Sequence, residues 1–167
     1  PVLGNVADPG LPDGPHLGLG DVFCAKEHPS GGGPSHAHDH LDELGLAGIA
    51  VHPTLEGYYL DTPLRVDPLW EILDDRRAIC LMHSSPDPGS GESAAAVRTV
   101  VSRYPNVTTF LGHAFLSQQQ KTEAIEIVRE FPHVYFDIAY QSDPALTEEL
   151  VAAVGSDRVV FGSDTPF

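Results

Sequence analysis

Four side chains able to bind a metal ion or to move a proton follow short apolar segments of this sequence. His52 follows Gly-Ile-Ala-Val, His83 follows Ile-Cys-Leu-Met, His113 follows Thr-Phe-Leu-Gly, and Asp164 follows Val-Val-Phe-Gly-Ser. The histidines are about 30 residues apart, and the longer last interval holds one more apolar segment, which contains Asp137. Because one strand and its helix take roughly 25–30 residues, each unit brings one such side chain to the same edge of a parallel sheet. Imidazole and carboxylate groups at that edge can form a catalytic site of the zinc type.

Each of these residues also has a purely structural interpretation. We interpret His83 as a metal ligand, although a histidine at a strand end can simply bond a loop carbonyl. We interpret His113 as a group that transfers a proton or polarises a substrate oxygen, with metal ligation as the alternative. We predict that Asp164 ligates the metal and takes a proton from a bound water, the alternative being a helix N-cap.

Two further residues are predicted to line the same pocket, and one histidine-rich segment is not. His52 precedes Pro53, which forces an extended backbone there, and we expect it to line the pocket more readily than to bind metal. Asp137 lies within an apolar strand and is interpreted as pocket wall or as the partner of a ligand. The segment 36–40 (His-Ala-His-Asp-His) looks metal-binding by composition, but it joins a Gly-rich stretch to a helix. We interpret it as a solvated helix start that could bind metal adventitiously.

The order of the apolar segments predicts an α/β fold. Strands alternate with helices whose starts are predicted at Asp67-Pro68, Ser93, Ser117 and Asp143. The strands are continuously apolar, which is typical of a parallel sheet buried on both faces. Consecutive right-handed units form either part of a TIM-like (β/α)8 barrel or an open doubly wound sheet, and periodicity does not separate the two.

Composition restricts the classes of partner. The chain has 24 acidic and 9 basic residues, and its formal net charge is −15. Nucleic acid and anionic membranes need a positive surface, so we predict neither as a partner. The sequence has no long apolar run, no signal peptide pattern and no CxxC pair. We therefore predict a cytoplasmic protein with a small-molecule substrate and leave open both a homo-oligomeric state and a halophilic origin.

Several of these segments together resemble one family. They are Gly48–Pro53, Leu81–His83, Leu111–Ala114, His133–Asp137 and above all Arg158–Phe167, which ends in Phe-Gly-Ser-Asp-Thr-Pro-Phe. The segments resemble the metal-dependent hydrolases of the amidohydrolase-2 family, a group that includes aminocarboxymuconate-semialdehyde decarboxylase-like enzymes. The resemblance covers roughly residues 45–167 and implies a distorted (β/α)8 barrel.

The resemblance also implies roles for individual residues. It places His83 on the fifth barrel strand as a metal ligand and Asp164 on the eighth as a ligand or base. It places His113 on the sixth strand as the residue that activates or orients the reacting water or substrate. Many relatives carry lysine where this chain has Ala50, which favours a mononuclear site here.

One departure from the family pattern concerns the first strand. The family takes two more ligands from a His-x-His pair on that strand, and no apolar strand ending in such a pair precedes residue 45. We therefore expect residues 1–167 to be one α/β barrel domain that is an internal fragment, lacking the first strand or strands and the C-terminal end.

These observations predict an enzyme of the amidohydrolase superfamily. It would hydrolyse a small organic substrate with a divalent metal, zinc, that lowers the pKa of a bound water. The alternatives are a non-oxidative metal-dependent decarboxylase (a lyase) on the same scaffold, and a non-catalytic fragment whose histidines are structural. An open doubly wound binding module is a further alternative.

Overall fold

The computed structural model describes residues 24–26, 41–42, 45–85, 87, 89–113 and 118–163. In this part of the chain the strands are β1 (Cys24–Lys26), β2 (Gly48–Val51), β3 (Ile79–His83), β4 (Thr108–Gly112), β5 (Val134–Asp137) and β6 (Val159–Val160). The helices are α1 (Pro53–Glu56), α2 (Pro63–Arg76), α3 (Ala94–Arg103), α4 (Gln118–Glu130) and α5 (Pro144–Val154), and a 3₁₀ turn covers Ser156–Arg158.

All six strands form one parallel sheet in chain order, from β1 to β6. A doubly wound sheet reverses its strand order at a switch point, and no reversal occurs among the strands that the structure describes. Consecutive neighbours are instead the arrangement of a barrel wall. The predicted α/β class is confirmed, and the doubly wound alternative is wrong for these strands.

The core lies between the sheet and its helices. One face of the sheet contributes Ile49, Cys80, Met82, Leu111 and Phe136, and the helices contribute Trp70, Leu73, Val97, Val100, Ile127, Val128 and Leu150. The residues between them on β3 are only half-buried, since Ile79, Leu81 and His83 point to the other face. The apolar strands predicted a sheet that is buried on both faces. In the structure, burial is complete only on the face that packs against the helices.

The structure tests three of the four predicted helix starts, since Ser117 lies outside the described residues. Ser93 and Asp143 cap α3 and α5 as predicted, each accepting a bond from the backbone N–H of a first-turn residue. The predicted start at Asp67 is wrong, because α2 begins at Pro63 and contains Pro68 in its interior. Proline at 68 removes the bond to the carbonyl of Leu64, but Leu64 is 94% exposed, so water can replace that bond.

Gly48 has no room for a side chain where β2 meets β3. A Cβ there would overlap the carbonyl oxygen of its register partner Ile79. We expect Gly48→Ala to lower the free energy of unfolding by about 1–3 kcal/mol, because the two strands must move apart. Urea unfolding measures this loss. Gly89→Ala is the matched control, since its Cβ would meet only ordinary contact, and equal losses in both variants would contradict the prediction.

Candidate metal centre

Three predicted site residues meet at the carboxyl ends of adjacent strands. His83 is the last residue of β3, and His52 and His113 directly follow β2 and β4. The rings of His52 and His83 stack with their centroids 3.6 Å apart and their planes 16° apart. The ring of His113 lies edge-on to His83, with centroids 4.8 Å apart. The in-register parallel pairing of β2, β3 and β4 produces this group of imidazoles.

Glu92 is a member of this site that sequence analysis missed. Its side chain is 1% exposed, and its Oε1 lies 3.1 Å from Nδ1 of His83 and 3.8 Å from Nδ1 of His52. Its Oε2 accepts bonds from the backbone N–H and the hydroxyl of Thr54, both at 2.6 Å. A single glutamate in a Gly-rich loop gives no sequence signal for this position, which depends on how two loops meet.

The protonation of Glu92 is set by two opposing effects. Burial alone would raise the pKa of this carboxyl group, since it disfavours the charged form. The hydrogen bonds from His83 and Thr54 outweigh burial, and the pKa is lowered from its usual value. The site therefore contains a buried carboxylate that stays ionised at neutral pH.

His52, His83 and Glu92 form a candidate metal site. One ligand atom from each lies within 4.8 Å of the other two. Two imidazoles and a carboxylate are suitable ligands for zinc-type or manganese-type ions. The donor types of these residues therefore fit a divalent cation.

The orientation of the two stacked rings limits how they can bind one ion. The lone pair of an imidazole nitrogen lies in the ring plane, and these planes are nearly parallel and 3.6 Å apart at their centroids. One ion cannot lie in both planes unless a ring turns. His52 also accepts a bond at Nδ1 from the backbone N–H of Leu55 at 3.3 Å, as the N-cap of α1. Of the two stacked histidines, His83 is therefore the one placed to bind a metal without rearrangement.

His113 is held in an unusual backbone conformation. Its φ is +64°, in the left-handed region that few residues other than glycine adopt. Its Nδ1 lies 3.0 Å from the carbonyl oxygen of Ala139, which can only accept, so Nδ1 carries the proton. The side chain of Gln141 donates to the carbonyl oxygen of His113. These contacts fix the ring and leave Nε2 as its reactive nitrogen.

Asp137 supports the loop that holds His113. Its Oδ1 accepts a bond from the backbone N–H of Ala139 at 2.8 Å, and its carboxylate packs against Gly162. Asp137 is buried and is linked to His113 through Ala139, whose carbonyl oxygen accepts from the His113 ring. Asp164 and the histidines of segment 36–40 lie outside the described residues. Ser163, the residue before Asp164, is the last that the structure describes.

Most of the chain matches one protein family. The family model described as Amidohydrolase (Amidohydro_2) matches residues 18–167. The chain belongs to this amidohydrolase family. The predicted family is thereby confirmed, and no curated protein sequence gives a significant match.

Solved structures share the amidohydrolase fold at low identity. The chain is similar to 2,6-dihydroxybenzoate decarboxylase from Rhizobium, with a TM-score of 0.59 and 14% identity over 80% of this chain and 56% of the other. It is similar to a 5-carboxyvanillate decarboxylase from Novosphingobium aromaticivorans complexed with manganese and a nitrobenzoic acid (0.58, 16%, 80% and 50%). A third is a putative 2-pyrone-4,6-dicarboxylic acid hydrolase from Pseudomonas putida (0.59, 17%, 78% and 52%). The chain spans about half the length of these structures.

The partial-barrel prediction agrees with these matches, since the shared fold is the amidohydrolase barrel.

Within the residues that the structure describes, no helix is long and apolar enough to cross a membrane.

Proposed function

We propose that this protein forms part of a divalent-metal-dependent enzyme that hydrolyses a small carboxylated or cyclic compound. The observation that carries the proposal is the convergence of three histidines and the buried Glu92 at the carboxyl ends of consecutive parallel strands. In barrels of this kind that face holds the active site. Membership of the amidohydrolase family supports the same class of chemistry.

His83 and Asp164 are the residues that we propose to hold the metal, with His52 and Asp137 lining the pocket. A bound divalent cation supplies a Lewis acid that lowers the pKa of a water molecule and polarises a carbonyl oxygen. We propose zinc as this ion, and the manganese of the similar carboxyvanillate decarboxylase makes manganese the alternative. Further protein ligands are needed for a closed coordination sphere.

His113 and Asp164 are the residues that we propose to move protons. Asp164 would take a proton from the attacking water. Nδ1–H of His113 is committed to Ala139, so the ring can donate to a developing oxyanion only when Nε2 is protonated as well. With Nε2 unprotonated, the same atom can accept a proton. The fixed ring can thus act through Nε2 either as a proton donor or as a proton acceptor.

Decarboxylation is the second candidate function, and a specific observation favours it. Tyr140 is 68% exposed, and its ring lies edge-on to that of His113 with centroids 6.0 Å apart, so an aromatic side chain borders the proposed proton donor. Two of the similar structures are decarboxylases of aromatic acids. In this reaction the bond between the ring carbon and the carboxyl group breaks, CO₂ leaves, and the carbon takes a proton from Nε2 of His113.

Product analysis tests the proposal and separates the two reactions. The protein is incubated with zinc or manganese and a panel of aromatic carboxylates, lactones and amides, with a chelator-treated sample in parallel. We expect turnover that the chelator abolishes, with an acid and an alcohol or amine as products and no CO₂. Release of CO₂ would establish the second candidate. Turnover unaffected by chelation would contradict both, and no turnover at all would favour the non-catalytic interpretation.

A further inference from the structure

We propose that Glu92 is a positioning residue that keeps the proton of His83 on Nδ1, so that Nε2 presents its lone pair to a metal ion. The inference rests on the proposed role of His83 as a ligand.

The direction of the hydrogen bond follows from the groups that surround Glu92. Its Oε2 accepts from the backbone N–H of Thr54, which can only donate, and from the Thr54 hydroxyl. The remaining oxygen, Oε1, lies 3.1 Å from Nδ1 of His83. A carboxylate can only accept, so Nδ1 is the donor. In a neutral imidazole the lone pair is then on Nε2.

Glu92 is held in place by both loops that border it. Thr54 belongs to the segment after β2, whereas Glu92 follows β3. Gly91 donates its N–H to the Thr54 hydroxyl at 3.1 Å and accepts from the N–H of Leu60 at 2.9 Å. A Cβ at Gly91 would overlap the carbonyl oxygen of Tyr58, so this approach requires glycine. The carboxylate therefore has little freedom to turn away from His83.

Ring geometry favours positioning over direct ligation by Glu92. Its Oε1 faces the Nδ1 atoms of both stacked histidines. A metal bound jointly to Glu92 and His83 would have to displace the proton on Nδ1 and break the 3.1 Å contact. A metal on Nε2 leaves every observed contact intact. Carboxylate partners of this kind orient histidine ligands and raise their basicity.

The variant Glu92→Gln tests this positioning role directly. The N–H of Thr54 needs an acceptor, so the amide oxygen should take the place of Oε2 and the NH₂ group should face His83. Nδ1 must then accept, and the proton moves to Nε2, where it blocks metal binding. We expect an apparent metal affinity about 10–100-fold weaker than that of the wild type. Glu71→Gln, on the exposed face of α2, makes the same chemical change away from the site and should leave affinity unchanged.

Long-range ¹⁵N–¹H NMR of the imidazoles measures the tautomer of His83 in metal-free protein at pH 8. Competition with a chelator measures the affinity for Zn²⁺. We expect a proton on Nδ1 in the wild type and on Nε2 in Glu92→Gln. A proton on Nε2 in the wild type, or an unchanged tautomer in the variant, would overturn the proposal. If the tautomer changes as expected but neither protein binds Zn²⁺, the positioning role stands and the proposed function fails.

A second variant keeps the proposal testable if Glu92→Gln does not fold. Thr54→Val retains the backbone N–H and the carboxylate but loses the hydroxyl donor. We expect it to keep the Nδ1 proton and to weaken Zn²⁺ binding less than tenfold. A change of tautomer in Thr54→Val would contradict the assignment of this role to the carboxylate.

Discussion

Replacing His83 with alanine is expected to lower kcat/KM by about 10³-fold or more, equivalent to about 4 kcal/mol of transition-state stabilisation. His83 ends β3, its Nδ1 is tied to Glu92, and its side chain is 28% exposed, so the ring is accessible to solvent. Its loss removes the imidazole that we propose as a metal ligand. Excess zinc should not restore activity, because His52, which stacks on His83 in the part of the chain that the structure describes, would have to turn its ring to take its place. Steady-state kinetics with saturating zinc measures the effect.

The matched control for His83→Ala is His133→Gln. His133 lies before β5, at the amino end of the sheet, where its Nε2 lies 3.1 Å from the carbonyl oxygen of Val101. Glutamine can also donate to that oxygen, and we expect kcat/KM within about threefold of the wild type, as for a substitution remote from the site. Equal losses in the two variants, or a loss below tenfold in His83→Ala, would contradict the proposed role.

Replacing His113 with asparagine is expected to lower kcat by about 10²–10⁴-fold while bound metal stays unchanged. His113 is proposed to act on the substrate through Nε2, and asparagine has no group that can transfer that proton. Asparagine tolerates the left-handed backbone better than most residues, so the loop should keep its shape at φ +64°. The kinetic loss then reports chemistry and not folding.

Arg77→Asn controls for the backbone in this comparison. Arg77 directly follows α2 with a φ of +52°, and it is exposed near the amino end of β3, away from the histidines. We expect unchanged kcat in Arg77→Asn. Loss of metal from His113→Asn would instead indicate that His113 is a ligand, which was the alternative interpretation of its sequence position.

Strand spacing predicted where the three histidines would lie, because it depends on a repeated local unit. Each apolar segment forms a strand of one parallel sheet, so a residue at its carboxyl end must lie near its counterparts. His52, His83 and His113 therefore came together as expected. Their roles depend on ring orientation, which spacing does not determine.

Features that depend on contacts between loops could not be predicted from the sequence. Glu92 follows the Gly-rich segment Gly89-Ser90-Gly91, and its burial accompanies the close approach of Gly91 to the Tyr58 backbone. His52 both stacks on His83 and acts as the N-cap of α1, and strand spacing predicts neither contact. The start of α2 was misplaced because Asp67-Pro68 is a strong local start signal, yet the helix extends one turn and more before it.

The measurement that tests the central claim most directly is bound metal per chain by elemental analysis, on protein purified without a His-tag or added metal. Wild type, His83→Ala and His133→Gln are compared. We predict about one divalent ion per chain in the wild type and in His133→Gln, and essentially none in His83→Ala. A wild type without metal, or a His83→Ala variant that retains the ion, would contradict a metal centre at the carboxyl end of β3.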